Sequence, residues 1–332
     1  MIYRDFQGMK LSGLGFGAMR LPVIDGDDNN IDREQTFQMV DEAMAVGINY
    51  YDTAWGYHGG NSEIVMGEAL SKYPRDSYYL ADKFPGYDLS NMPKVKEIFE
   101  KQLEKTGKGY FDFYLFHNVC EMNVNQYLDP KFGILDYLLE QKKNGRIRHL
   151  GFSCHGEMDV LKRFLDEYGK YMEFCQIQLN YLDWTLQDAK AKYQLLAERG
   201  IPVWVMEPLR GGRLASLSEA DEARMKALRP EESIASWSFR WLQRLPDVKV
   251  VLSGMSAMDQ MADNVSTFSG GTPLDDGEAA LAEEIAEGAW GLAFPEDTRA
   301  GPQVPVVSRE HLLQLEKIQE VLPSRRDEAH FR

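Results

Sequence analysis

Eight short apolar runs, each followed by an amphipathic helical pattern or a connecting segment, constrain this chain more than any other feature. The runs are Leu14–Gly17, Asn49–Asp52, Tyr78–Lys83, Phe113–His117, His149–Ser153, Cys175–Leu179, Val203–Met206 and Val248–Ser253. Their β-branched and aromatic content favours strand over helix. The intervening segments Gln35–Val46, Glu63–Leu70, Val95–Leu103, Ile134–Gln141, Val160–Leu165, Ala189–Ala197 and Ser233–Leu242 carry apolar residues at helical spacing. Strands alternating with helices imply parallel pairing through right-handed crossovers, and eight such units favour closure over an open sheet. The expected fold class is α/β, a (β/α)8 TIM barrel. The opening Ile2–Lys10 fits an N-terminal β-hairpin with Gln7-Gly8 at its turn, placed to plug the barrel floor. Arg210–Pro230 reads as a long connection. Glu278–Glu287 reads as helix, Gly291–Pro305 as loop and His311–Val321 as a terminal helix. The expected organisation is a barrel over 1–275 and a C-terminal helical extension over 276–332, packed on or near the barrel.

A chain of 332 residues suits one such barrel. Its formal net charge of −15 argues against nucleic acid or an anionic membrane surface as partner. Cys120, Cys154 and Cys175 form neither a disulfide framework nor a metal-finger pattern. No metal site is expected, and a reducing cytoplasmic setting is. Met1–Lys10 lacks the apolar core of a signal peptide. Nothing in the sequence speaks to oligomeric state.

Polar residues fall at the strand ends. Asp52 ends the second run, Lys83 the third, His117 the fourth and Ser153 the fifth; Gln176 and Asn180 belong to the sixth, and Glu207 follows the seventh. In a barrel these ends converge on one mouth, where catalytic groups sit. A single histidine or lysine there is ordinarily a satisfied polar group. Four such groups on successive units are not, and a buried lysine and aspartate call for each other as an ion pair. Tyr57 joins them from the aromatic, glycine-rich loop Thr53–Gly60.

These residues resemble the aldo-keto reductases. The resemblance lies in Asp52-Thr53-Ala54-Trp55-Gly56-Tyr57 with Ser62-Glu63, in Lys83, in His117, and in Gly151-Phe152-Ser153. It extends from Leu14 to Asn264. It implies an NAD(P)H-dependent oxidoreductase that interconverts a carbonyl and an alcohol, with Tyr57 as general acid and Asp52, Lys83 and His117 as its partners. A tyrosine hydroxyl titrates near ~10, and a neighbouring ammonium is expected to lower that value. The alternative is a non-catalytic nucleotide-binding or regulatory subunit on the same fold. The substrate side reads only as a small carbonyl compound or a sugar-like one, with Met19, Arg20, Trp55, Phe84, Asn118 and Trp184 as possible mouth residues.

The cofactor must be held without a strand–Gly-x-Gly-x-x-Gly–helix signature, which the chain lacks. The barrel alternative is the loops after strands seven and eight. The first of these reads Met206-Glu207-Pro208-Leu209-Arg210-Gly211-Gly212, with Arg213 beyond it. By resemblance, Ser153 and Gln176 hold the nicotinamide carboxamide, Asp52 and Met19 lie beside the cofactor, and Met206 takes the place of an aromatic platform. Pro208, Leu209, Arg210 and Gly211 line its phosphates, and Asn264 contacts adenine. Two cations common in the family are replaced by Gly254 and Gln260, which weakens the expected preference for NADP and leaves NADP or NAD, with a slight lean to NADP. A bacterial subgroup shares the Met-Glu-Pro-Leu-Arg-Gly-Gly loop and often carries a C-terminal iron–sulfur cysteine cluster. This chain has no cysteine after Cys175, so no such cluster is expected.

Overall fold

The structure, a computed structural model, describes residues 1–293. The expected loop from 294 onward and the helix His311–Val321 lie outside the described residues. The hairpin pairs β1 (Tyr3–Phe6) antiparallel with β2 (Met9–Ser12). Gln7 and Gly8 both take positive φ, 47° and 85°, as a two-residue turn between twisted strands requires.

Eight parallel strands then close a barrel. They are β3 (Leu14–Gly17), β4 (Tyr50–Asp52), β5 (Tyr79–Phe84), β6 (Phe111–Val119), β7 (Ile147–Cys154), β8 (Cys175–Gln178), β9 (Val203–Met206) and β10 (Val248–Gly254). Each pairs with its neighbour in sequence, and β10 pairs with β3 through Val251–Leu14 and Ser253–Phe16. Every expected strand is present, displaced by at most two residues at either end. The runs were legible because strands buried on both faces are apolar throughout.

Two layers of apolar packing result. Between sheet and helices lies the larger core, which includes Tyr51, Phe99, Tyr114, Phe116, Phe164 and Trp237. Inside the barrel lies a smaller one built from Tyr50, Phe113, Leu115, Phe174, Trp204 and Leu252, with Phe6 and Leu11 contributed by the hairpin. The Phe6 ring sits 5.0 Å from Trp204, 5.2 Å from His149 and 5.8 Å from Phe113, so the hairpin stoppers the barrel at its N-terminal end.

The long connection after β9 is only partly irregular. It carries a helix, Glu219–Leu228, started by Ser218, whose hydroxyl accepts the Asp221 N–H at 3.2 Å. Only Met225 of that helix is buried, so no apolar stripe announced it. A second helix, Met258–Ser269, follows β10. The C-terminal helix spans Asp276–Ala293, and so runs through Gly291, where the sequence suggested loop. It packs Ala279, Ala282 and Ile285 into the core. Glu278 pairs with Arg229 at 2.7 Å, and Glu283 accepts the Trp241 indole N–H at 2.9 Å.

Candidate active site

Asp52 is the last residue of β4 and Lys83 the penultimate residue of β5; both point inward and are almost wholly buried. Lys83 Nζ donates to Asp52 Oδ1 at 2.5 Å, to the Thr53 carbonyl at 2.8 Å and to the Tyr57 hydroxyl at 3.4 Å. Burial pulls the ammonium down, but Asp52 and Tyr57 carry it above its ordinary value. Burial pushes the Asp52 carboxyl up, and Lys83 pulls it partly back. The short contact and the absence of any other cation on Asp52 among the described residues point to an ion pair. Behind it, the Gln102 amide donates to Glu63, Asp82 and the Lys83 carbonyl at 2.8–3.0 Å, which fixes β5 against the helix Val95–Thr106.

Tyr57 reaches the pair from a tight turn in which His58, Gly59 and Gly60 all have positive φ. The turn is tied down on both sides. Thr53 donates to the Ser62 hydroxyl at 2.9 Å, and Ser62 donates to the Ala18 carbonyl at 2.9 Å. His58 Nε2 accepts the Leu21 N–H at 3.0 Å, and its Nδ1 donates to the Asp28 carbonyl at 2.8 Å. The Tyr57 hydroxyl is not made more acidic than usual. Burial raises its pKa and outweighs the opposing effect of Lys83, contrary to the expectation from charge alone.

His117 stands edge-on to Tyr57, ring centroids 6.0 Å apart. Burial and the Lys83 charge push the imidazole well below its usual range, so it is neutral at neutral pH. The register between β6 and β7 shifts between Phe116 and Val119, around His117. Asn118 next to it takes φ 58°, donates its N–H to Ser153 Oγ at 2.8 Å, and is held by Asn123 at 2.7 Å. Tyr87, which sequence reasoning missed, lies against the other side of His117 at 5.3 Å, with its hydroxyl packed on Gly56. Its only sequence signal is its place in the loop after β5. Phe84 faces the opposite way, into the outer core against Tyr127, and Trp184 packs on Trp241 at 5.0 Å. Trp55 is half-buried beneath the Lys105 ammonium, 4.7 Å from its ring.

The expected cofactor residues form a second arc. Ser153 and Gln176 are direct neighbours in the β7–β8 register. Gln176 Nε2 contacts the Met206 sulfur at 3.7 Å, while its Oε1 is buried with no partner. An orphaned acceptor beside a free hydroxyl hydrogen on Ser153 fits a primary carboxamide. Beyond Met206 the chain turns through Glu207 (φ 54°), Arg210 (47°), Gly211 (64°) and Gly212 (93°), with the Pro208 carbonyl accepting from Ser238 at 2.5 Å. Met19 is half exposed. Arg210 does not stand free: its guanidinium is paired with buried Asp183, which also accepts from Gln178 and Asn180 at 2.8 and 2.7 Å. Gln260 turns its carbonyl back to the Ser256 N–H at 2.9 Å, and Asn264 donates to Ser253 at 3.1 Å. Gly254 ends β10 beneath Arg20.

Among the described residues no helix is long and apolar enough to cross a membrane. Residues 13–287 match the model of the aldo/keto reductase family. Among curated proteins, the chain is 26% identical to an NADH-specific methylglyoxal reductase of Escherichia coli, over 83% of this chain and 95% of that protein. It is 27% identical to an L-galactose dehydrogenase of Arabidopsis thaliana, over 87% and 94% respectively. Among solved structures, the holo form of an aldo-keto reductase of Bacillus halodurans superposes with a TM-score of 0.69 at 25% identity, over 86% of this chain and 96% of that one.

Proposed function

We propose, on the premise that this chain belongs to the aldo/keto reductase family and is an NAD(P)-dependent oxidoreductase, that it reduces an aldehyde or ketone, or runs the reverse reaction, with Tyr57 as general acid and base. The observation that carries the reading is one cluster: an ammonium bonded to Asp52 and 3.4 Å from the Tyr57 hydroxyl, with a neutral imidazole alongside. Bound nicotinamide cofactor supplies or accepts the hydride. The protein's own part is the proton. A hydroxyl whose pKa is raised keeps its proton until negative charge develops on the substrate oxygen, and Lys83 is placed to stabilise the phenolate left behind. His117, uncharged, can hydrogen-bond the same oxygen without competing for that proton.

Ser153 and Gln176 would hold the carboxamide, Met206 would pack on the ring, and Met19 and Asp52 would lie beside it. Pro208, Leu209, Gly211 and Gly254 would line the groove through backbone; Arg210, Gln260 and Asn264 would shape it while their side chains bind neighbouring residues. With Gln260 engaged by Ser256 and Gly254 bare, we expect a small preference for NADP or none. The buried face of the helix Asp276–Ala293 supports reading the first part of the segment after 275, up to Ala293, as an extension packed on the barrel. The test is a titration of the purified protein with NADH and NADPH by fluorescence, then turnover on a panel of aldehydes, ketones and sugar-like carbonyls. Binding of either cofactor with no turnover of any carbonyl sinks the reading.

A further inference from the structure

We propose that Glu63 and Asp82, two carboxyls buried behind Lys83, hold a single proton between them, and that with Gln102 and Lys105 they form the clamp that sets Lys83 against Tyr57. The consequence for turnover rests on the reading of Lys83 and Tyr57 given above; the shared proton does not. Along β5 the side chains alternate. Leu80 belongs to the outer core and Ala81 to the inner one, so Lys83 turns into the barrel and Asp82 turns outward, between sheet and helices. There Asp82 meets Glu63, from the helix Ser62–Ala69, and both carboxyls are wholly buried. One amide bridges them. Gln102 Nε2 donates to Glu63 Oε1 at 3.0 Å and to Asp82 Oδ1 at 2.8 Å. The Gln102 carbonyl accepts the Tyr114 hydroxyl at 2.6 Å, which keeps the NH2 toward the acids.

The balance of charge calls for the proton. The groups facing the pair are Lys105 from the helix Val95–Thr106, Lys83 beside Asp82 on β5, Tyr114 from β6, and Tyr57 and Tyr87 from the loops after β4 and β5. Lys105 pairs with Glu63, and the Lys83 ammonium is bonded to Asp52. Among the described residues no cation is left for Asp82, and its Oδ2 is buried with no partner. Two ionised carboxylates side by side, out of water, repel each other too strongly for one ammonium to hold both, so the state of lower energy keeps one proton. Burial and the Glu63 charge accordingly push the Asp82 carboxyl well above its ordinary range. The neutral acid can donate through Oδ2 to Glu63 while Oδ1 goes on accepting. Both Lys83 and the loop of Tyr57 hang on this clamp. Asp82 Oδ1 accepts the Lys83 N–H at 2.8 Å, and Gln102 Nε2 donates to the Lys83 carbonyl at 2.9 Å. Lys105 stands 4.7 Å from the ring centre of Trp55, which precedes Tyr57 in the same loop.

Infrared spectra of the purified protein test the proton without any turnover. Wild type at neutral pH should show the C=O stretch of a protonated, buried carboxyl, and Asp82→Asn should lose it. Absence of the band, or its survival in Asp82→Asn, overturns the shared proton. Stability gives a second readout. A proton kept by the folded protein and released by the unfolded chain contributes stability that is full below the ordinary 3.8 and is lost as pH rises toward the raised folded value. Asp82→Asn has no such proton, so its melting temperature should climb relative to wild type between about pH 5 and about pH 8. A difference that stays constant with pH overturns the proposal. Asp82→Leu deletes the acceptor of the Lys83 N–H. It should lower kcat by about 10- to 100-fold, the scale of a small displacement of a reacting group, with little change in KM or cofactor affinity. Asp82→Asn keeps that acceptor and offers an N–H to Glu63, so it should recover most of the loss. Wild-type kcat in Asp82→Leu, or no recovery in Asp82→Asn, removes the clamp. If wild type turns over no carbonyl, the proposed function fails, while the band and the melting curves still decide the proton. Circular dichroism of each variant separates a displaced lysine from a lost fold.

Discussion

Lys83 Nζ stands 3.4 Å from the Tyr57 hydroxyl and 4.9 Å from the centre of its ring, while the same ammonium is bonded to Asp52. One buried cation thus serves two acids of opposite character, a carboxylate that has given up its proton and a phenol that has kept it. Tyr57→Phe deletes that proton and little else. Its turnover should fall by about 10²–10⁴-fold while cofactor binding is kept, as measured by steady-state rates beside a fluorescence titration. Unaltered turnover would remove Tyr57 from the mechanism.

Lys83→Met leaves Asp52 buried without its cation. That variant should be nearly inactive and melt lower, by an amount on the order of 3–5 kcal/mol of stability for a broken buried pair. Adding Asp52→Asn should recover part of the stability and none of the activity. The double variant distinguishes an ion pair from two independent contributions, and equal melting of Lys83→Met and wild type would show that the pair contributes nothing.

The pKa of His117 lies well below its ordinary 6.5. Its proton uptake is therefore displaced to acid pH in the folded protein but not in the unfolded chain. The sign follows: the unfolded state binds the extra proton first, so stability linked to this group is intact above 6.5 and declines as pH falls below it. The pH profile of kcat/KM should show no limb from an imidazole between pH 6 and 8. A step there that disappears in His117→Gln would contradict a neutral His117.

At the opposite end of the barrel, Glu173 accepts from His149 Nδ1 at 2.9 Å and from the Leu150 N–H at 3.0 Å, and pairs with Lys142. Burial raises its carboxyl, but these partners outweigh it and bring the pKa down from 4.5 to about 2. A depressed carboxylate stabilises the fold above its unfolded pKa and ceases to do so as pH drops through the folded one. Between pH 4.5 and about 2, up to on the order of 3 kcal/mol should be lost, and Glu173→Gln should flatten that part of the acid-unfolding curve. Identical acid midpoints in variant and wild type would refute the linkage.

The barrel was legible because its strands are buried on both faces, and so were Asp52, Lys83 and His117, because charges at the ends of apolar strands are conspicuous. What stayed hidden is what depends on contact between loops. Nothing in the sequence said that Arg210 would be spent on Asp183, that Gln260 would turn back to Ser256, or that Tyr87 would lie on His117. The helix Glu219–Leu228 escaped notice because a helix burying only Met225 has no apolar stripe. The direction of the Tyr57 pKa could not be read either, since desolvation depends on how deeply the turn carries the ring.

Phe6, wedged against Trp204, His149 and Phe113, completes a packed barrel interior, so the site is open only on the side of the loops that follow the strands. Whatever reaches Lys83 must enter and leave past the same loops. Of two reactants stacked at such a one-sided opening, the deeper must arrive first and depart last. On the proposed function, the order of events would thereby be set by architecture rather than by affinity. The cofactor, whose carboxamide would lie down at Gln176, should be the leading reactant, and its release should be the closing step of each turnover. Initial rates should then show the oxidised and reduced cofactors competing for the free protein, while the alcohol, which binds the complex with oxidised cofactor, is not competitive with the carbonyl, which binds the complex with reduced cofactor.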